Sequence, residues 1–482
     1  MRKAVKVALA FVGLLVGAGF ASGQETIQYF LAYGYWGIVG SILAGIVIVV
    51  VGTTLFQLGS YYLADDHSAV FKSVSRPVVS TFMDLSTMFT LFAIGFVMIA
   101  GAGSNLEQQF GFPTWVGAVI MTIALVASGF LDVDKLTNVI SVITPFLILA
   151  VIGALVVTIL NMPDHMSSLN ELAMQNDPAS GVFGNWFLSA LNYAALCVLV
   201  GVSMILVIAG SQMNPREAGL GGLLGGIIFS VLLVTLAFVI FANMDGVFGA
   251  DFPLLMVFDN MHPAVGLVVS IIIYLMVYNT AVGMFYAMAR RMSAKHPERF
   301  RPIYFTVVGI GFALSFIGFA ELVNWVYPVI GYLGMVLIVV MVYAWIKDRT
   351  LIQQETKRRE RLAALAEKAL DPDAKELTDS QREEVEELVS ESHVEETQLW
   401  QSVQEEVAAD LDADPASEFS LEDTPALNPE SDEYEGAPES PADAPIDWEA
   451  YDEMYHTGSF PAVTPEEAEH AKRGAGGSNA AS

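Results

Sequence analysis

The densest chemistry in the chain sits near its start, in FVGLLVGAGFASGQETIQYF, residues 11–30. Gly17, Gly19 and Gly23 fall inside an apolar run of about 29 residues, long for one straight bilayer crossing. Each glycine costs a helix interior about 1 kcal/mol relative to alanine, so three together favour a break. Ser22-Gly23-Gln24-Glu25 fits the S-x-x-E capping box that opens a helix. A helix start halfway through such a run means two half-helices meeting inside the membrane. Unwound backbone at that depth persists only where protein or a water-filled cavity satisfies it. The second half-helix then presents free amides and a partial positive charge, suited to a substrate carboxylate. The unwound carbonyls can coordinate a cation. Substrate contacts are therefore expected from Gly17, Ala18, Gly19, Phe20, Ser22, Gly23, Gln24 and Glu25. Glu25 has two open readings: a cap for Ser22, or a titrating or cation-binding carboxylate that carries coupling. For the whole segment, the alternative is a glycine-rich helix-packing face.

The elements that would position these residues follow from composition. The 482 residues are 54% hydrophobic yet carry a net charge of −29. Residues 1–350 hold 14 Lys+Arg and 17 Asp+Glu, whereas residues 351–482 hold the remaining 9 and 35. An apolar body is joined to an acidic tail, a balance that excludes nucleic-acid binding by phosphate attraction. The single Cys197 excludes an intramolecular disulfide and a multi-cysteine metal site, and it reads as a small buried hydrophobe. There is no G-x-x-x-x-G-K-[ST], H-E-x-x-H or G-x-S-x-G, so no enzyme and no cofactor is expected.

Ten apolar spans are readable: roughly 4–32, 37–62, 78–103, 114–130, 138–160, 185–210, 219–242, 264–289, 303–320 and 323–346. Most are apolar on every face, as in a membrane bundle, and the alternating stretches of a β-barrel are missing. With the N-terminus inside, all 14 Lys and Arg of this part fall on the cytoplasmic side. The opposite loops, near 33–36, 104–113, 161–184, 243–263 and 321–322, contain none. A cleaved signal peptide is the alternative for the first 23 residues, but the apolar run continues past the small residues and its loss would leave an odd number of spans. Ten spans divide into five (about 4–160) and five (about 185–346). An odd number per half makes the second half enter from the opposite side, as in inverted-repeat transporters.

The run GLLVGAGFASGQETIQYF followed by YGYWG resembles the first span of the YkvI-like family of bacterial membrane proteins. That family is placed in the amino acid–polyamine–organocation (APC) superfamily, with the LeuT-type fold of two inverted five-helix repeats. The resemblance implies an all-α polytopic membrane protein and a secondary transporter. It also implies that the sixth span, 185–210, is broken opposite the first, with Asn192 and Tyr193 flanking that break. A hydrogen bond of Asn192 across a helix interface, with Tyr193 simply packed, is the other reading. In the eighth span, Asn279 and Thr280 match the position of a sodium site, shared with Gly17. Thr280 bonding back to its own helix is the alternative. The fifth span lacks the lysine of some proton-coupled relatives, which leans towards Na+ over H+. Asp84 in the third span reads either as part of a proton or ion path or as an interfacial residue near Arg76.

Residues 349–410 read as a charged, partly helical cytoplasmic segment, with apolar positions at Leu362, Leu365, Leu370, Val385, Leu388 and Val389. Its basic start, 347–361, suits anionic lipid. Residues 411–482 should be disordered; the aromatic insert 446–461 is either a partner-binding peptide or a solvated stretch. The expectation is thus a transmembrane bundle over 1–348 in the plasma membrane, multi-pass, with both termini cytoplasmic. Its partners are the lipid bilayer and a small amino-acid-like solute, coupled to Na+ or H+, moved by alternating access. The other class is a non-transporting receptor or scaffold acting on a cytoplasmic protein through the tail.

Overall fold

The computed structural model describes residues 2–64, 66–130, 143–163, 165–176, 178–179, 184–370, 377–394 and 396–414, with isolated positions beyond them as far as Trp448. Lys135, the start of the fifth span before residue 143 and most of 411–482 lie outside the described residues. The chain divides into two units. One comprises 1–59, 64–209 and 216–347; the other comprises 60–63, 210–215 and 348–482.

The first unit is a helix bundle. Tyr35–Tyr61, Pro77–Phe110, Trp186–Gly210, Pro215–Ala242, Pro263–Met292 and Phe319–Leu370 are each long and apolar enough to cross a membrane. Thr114–Ser128, Ile143–Leu160 and Phe300–Ser315 are shorter apolar helices at the fourth, fifth and ninth expected positions. Helices apolar all round need another way to select neighbours, and here small residues provide it. Gly45, Gly52 and Gly59 repeat every seven residues along Tyr35–Tyr61. A Cβ on Gly222 of the seventh span would lie 2.8 Å from the Gly52 carbonyl, so the two backbones touch.

The first span is interrupted. Arg2–Leu15, Ala18–Ser22 and Gln24–Tyr29 are separate helical pieces. Gly17 is extended at φ −92°, ψ −172°, and Gly23 is left-handed at φ +78°. A Cβ there would also meet Ile240 Cδ1 at 2.7 Å, so both the turn and the packing require glycine at 23. The sixth span differs from expectation: Trp186–Gly210 is one continuous helix. It has no Gly or Pro between Phe187 and Val200, and its polar side chains bond to neighbouring helices, so nothing interrupts its ladder.

The second unit has its own core. Leu362, Leu365 and Leu370, at the end of the last long helix, join Val385 and Val389 of Asp379–Ser390 and Leu399, Trp400 and Val403 of Glu396–Asp412. The apolar stripe foreseen in 349–410 is thus buried within the chain. Arg359 is 2% exposed. Its guanidinium donates to the carbonyls of Ser60 (2.8 Å), Tyr61 (2.8 Å) and Met213 (3.1 Å) and to Glu355 Oε1 (2.8 Å). Arg358 pairs with Glu355 and Glu391, and Arg361 with Glu384. Three arginines of the basic stretch 347–361 therefore pair with glutamates. Among the few described positions of 411–482, Leu427 is fully buried, and Trp448 of the aromatic insert meets Trp400 edge-on and lies under Arg382.

Candidate substrate and ion site

The break in the first span gathers the candidate residues. Every residue from Ala18 to Phe30 is buried. Ser22 Oγ donates to the Gly19 carbonyl (2.7 Å) and accepts from the Gln24 amide (3.1 Å). That hydroxyl ties the two half-helices together, but Glu25 does not complete a capping box: Gly23 is the N-cap and no side-chain cap is formed. The left-handed turn at Gly23 shifts the helix start by one residue. Glu25 turns back instead, its carboxyl lying where a Cβ on Gly19 would collide with it. Gly19 is the space that this carboxyl occupies.

Tyr193 of the sixth span neighbours the Glu25 carboxyl, and Cys197 lies one turn further along the same helix. Glu25 is 7% exposed, and among the described residues no Lys, Arg or His pairs with it. A buried carboxylate without a cation is costly in lipid unless a proton or a bound cation neutralises it. Three more polar atoms on the same short helix, Gln24 Oε1, Thr26 Oγ1 and Gln28 Oε1, are buried without a hydrogen-bond partner. Each such atom costs about 1–3 kcal/mol, and together they mark a surface completed by something else.

Asn192 bonds across helix interfaces: its Oδ1 accepts from Tyr29 (3.2 Å) and its Nδ2 donates to the Pro328 carbonyl (3.0 Å). It ties the first, sixth and tenth spans together. Tyr29 also packs on Tyr193 at 5.4 Å between ring centroids. Thr280 Oγ1 is the one atom within 4 Å of a Cβ placed on Gly17, at 3.9 Å, so the eighth span does meet the break; its neighbour Asn279 does not come within that distance. Asp84 pairs with Arg291, and His67 Nε2 lies 3.5 Å from it. His67 Nδ1 shares a hydrogen bond of 3.0 Å with Ser203 Oγ. Burial, then the Arg291 charge, pushes the His67 imidazole down to about 4 against the pull of Asp84 and Asp66. This cluster lies at the basic end of the bundle, outside the break. Residues missed from sequence are Tyr29, Gln28 and His67. Gln28, one turn beyond Gln24 in an apolar run, was the available signal.

The bundle, with its interrupted first span, has the LeuT-type fold. Mhp1 in its inward-facing conformation matches with a TM-score of 0.50 at 12% identity, covering 72% of this chain and 77% of that one. Mhp1, a nucleobase-cation-symport-1 family transporter, in a closed conformation with bromovinylhydantoin bound, gives 0.49 at 14% identity over 75% and 86%. At 12% identity the first of these likenesses speaks for the fold alone. The chain is homologous to two Bacillus subtilis (strain 168) proteins. It is 24% identical to the uncharacterized membrane protein YkvI over 345 residues, covering 70% of this chain and 94% of YkvI. It is 26% identical to the uncharacterized protein YyaD over 347 residues, covering 70% and 96%. No protein-family model matches.

Proposed function

We propose that the protein is a secondary transporter of a small organic solute, working by alternating access in the plasma membrane with both termini cytoplasmic. One observation carries this: a first span broken at Gly17 and Gly23 whose inner piece buries an unpaired carboxyl and three unpartnered polar atoms. A purely structural helix would not retain four such groups in lipid. Glu25, Gln24 and Gln28 offer oxygen acceptors, which favours a solute with an amino or amide donor, consistent with an amino-acid-like substrate. The process is movement, with no bond made or broken in the solute.

Two positions support coupling. Gly17 and Thr280, which face each other across the break, would provide oxygens for Na+. Glu25 would take H+, since protonation removes the cost of burying its charge. The test is solute uptake into proteoliposomes of the full chain under a sodium or a pH gradient. Gradient-driven uptake that Gly19→Leu abolishes, with the helix content of the bundle intact, supports the proposal. Full uptake by Gly19→Leu overturns the site. No uptake from a broad solute panel under either gradient, beside a cytoplasmic protein bound through residues 349–482, favours the scaffold instead.

A further inference from the structure

The bundle also holds a cavity of ≈ 530 Å³ lined by residues of the third, eighth and ninth spans. Its wall is apolar, from Phe92, Met288, Met292, Ile303 and Ile310, with Arg299 as its one charged member. Met292 and Ile310 are each 50% exposed, so the slot opens on the outer surface of the unit. Its volume falls in the range of about 300–1,000 Å³ typical of small-molecule sites.

The charge around this slot is one-sided. Residues 290–301 contain five basic residues, Arg290, Arg291, Lys295, Arg299 and Arg301, and one acid, Glu298. Glu298 sits 3.2 Å from His296. Arg291 is held by Asp84, while Arg290 and Arg301 each lie 6.0 Å over an aromatic ring, Tyr286 and Phe130. Arg299 is exposed, and among the described residues it has neither an acidic nor an aromatic partner. The complement of an apolar slot with a positive rim is an amphiphile with an acyl chain and an anionic head. The planar guanidinium can donate to two phosphate oxygens at once.

We propose that this cavity binds an anionic phospholipid, with its phosphate on Arg299 and an acyl chain along Met288, Ile303 and Ile310. A zwitterionic lipid supplies the chain without the net charge, and free phosphate supplies the charge without the chain. The eighth span carries both Met288 of this slot and Thr280 of the break, so the lipid contacts a helix that also faces the solute site.

The test reconstitutes the full chain in vesicles with equal phosphatidylglycerol and phosphatidylcholine, extracts it gently, and measures retained lipid by mass spectrometry. Wild type should retain phosphatidylglycerol preferentially. Arg299→Gln should lower that preference about five-fold, the effect of one basic residue near an anionic surface, with phosphatidylcholine retention unchanged. Ile303→Trp, which fills the slot, should lower retention of both. Equal retention of the two lipids by wild type, or an unaltered preference in Arg299→Gln, overturns the proposal. Displacement of phosphatidylglycerol by inorganic phosphate alone also overturns it, by reassigning Arg299 to a free anion.

Discussion

The two units of this protein bury charge in opposite ways. In the C-terminal unit, Arg359 and Glu355 pair with each other, and the guanidinium spends its remaining donors on three main-chain carbonyls. Both charges of that pair are answered, since Glu355 also accepts from Arg358 and from Ser392 (2.7 Å). In the spanning unit, Glu25 lies beside Tyr193 with no basic partner among the described residues, on a short helix that carries unpartnered amide and hydroxyl oxygens. The first arrangement is what a structural centre needs. The second is a site held incomplete by the fold, which is why the proposed transport activity is assigned there.

The strongest way to break this comparison is to remove one partner from the satisfied centre. Arg359→Ala should destabilise the C-terminal unit by about 3–5 kcal/mol, the cost of leaving a buried charge and its acceptors unanswered. Hydrogen exchange over 379–412 would report it, and little change would mean the cluster is not a structural centre. Next, Glu25→Gln keeps the shape of the open site and removes its charge. Gradient-driven uptake should fall about ten- to hundred-fold, the scale of a lost charge-assisted hydrogen bond of about 1.5–3 kcal/mol, while thermal stability holds or rises. Uptake at wild-type level would remove Glu25 from the mechanism.

A smaller effect is expected at Gly23. Gly23→Ala forces a side chain into the left-handed region at a cost of about 1–2 kcal/mol, and adds a contact with Ile240. A lowered melting temperature together with impaired uptake would tie the turn to the site. The His67 cluster gives a pH signature. Its imidazole titrates near 4 when folded and near 6.5 in an unfolded chain, so the unfolded state binds more protons between those values. Its stabilising contribution should be full above about pH 6.5 and lost as pH falls towards 4. His67→Gln should flatten the pH dependence of melting in that window. The smallest change belongs to Trp448→Ala, which removes an indole under Arg382 and its donation to Glu386 (2.6 Å), worth about 0.5–1 kcal/mol as an exposed cation–π contact.

Much of the spanning unit was legible because lipid imposes a simple rule: long apolar runs must close their own hydrogen bonds as helices. The break was legible for a related reason, since three glycines and Ser22 in one run are poor helix and good turn material. The capping box was misplaced because Ser22-x-x-Glu25 satisfies a local pattern, whereas the left-handed turn at Gly23 and the space over Gly19 draw the carboxyl elsewhere. Asn192 could not be placed from its own helix, because its partners, Tyr29 and Pro328, are 163 and 136 residues away in sequence. Asp84 could not be paired from sequence either: its neighbour there is Arg76, but its partner in space is Arg291, 207 residues on.

Local chemistry thus determined where the chain enters lipid, where its first crossing snaps, and which end carries positive charge, because each depends on nearest neighbours and solvent. Tertiary packing alone decided that Glu25 folds over Gly19 beneath Tyr193, that Thr280 meets Gly17, and that Arg359 is swallowed by carbonyls from distant helix ends. Those outcomes depend on which surfaces approach within hydrogen-bond reach, a distance that no single stretch of sequence contains.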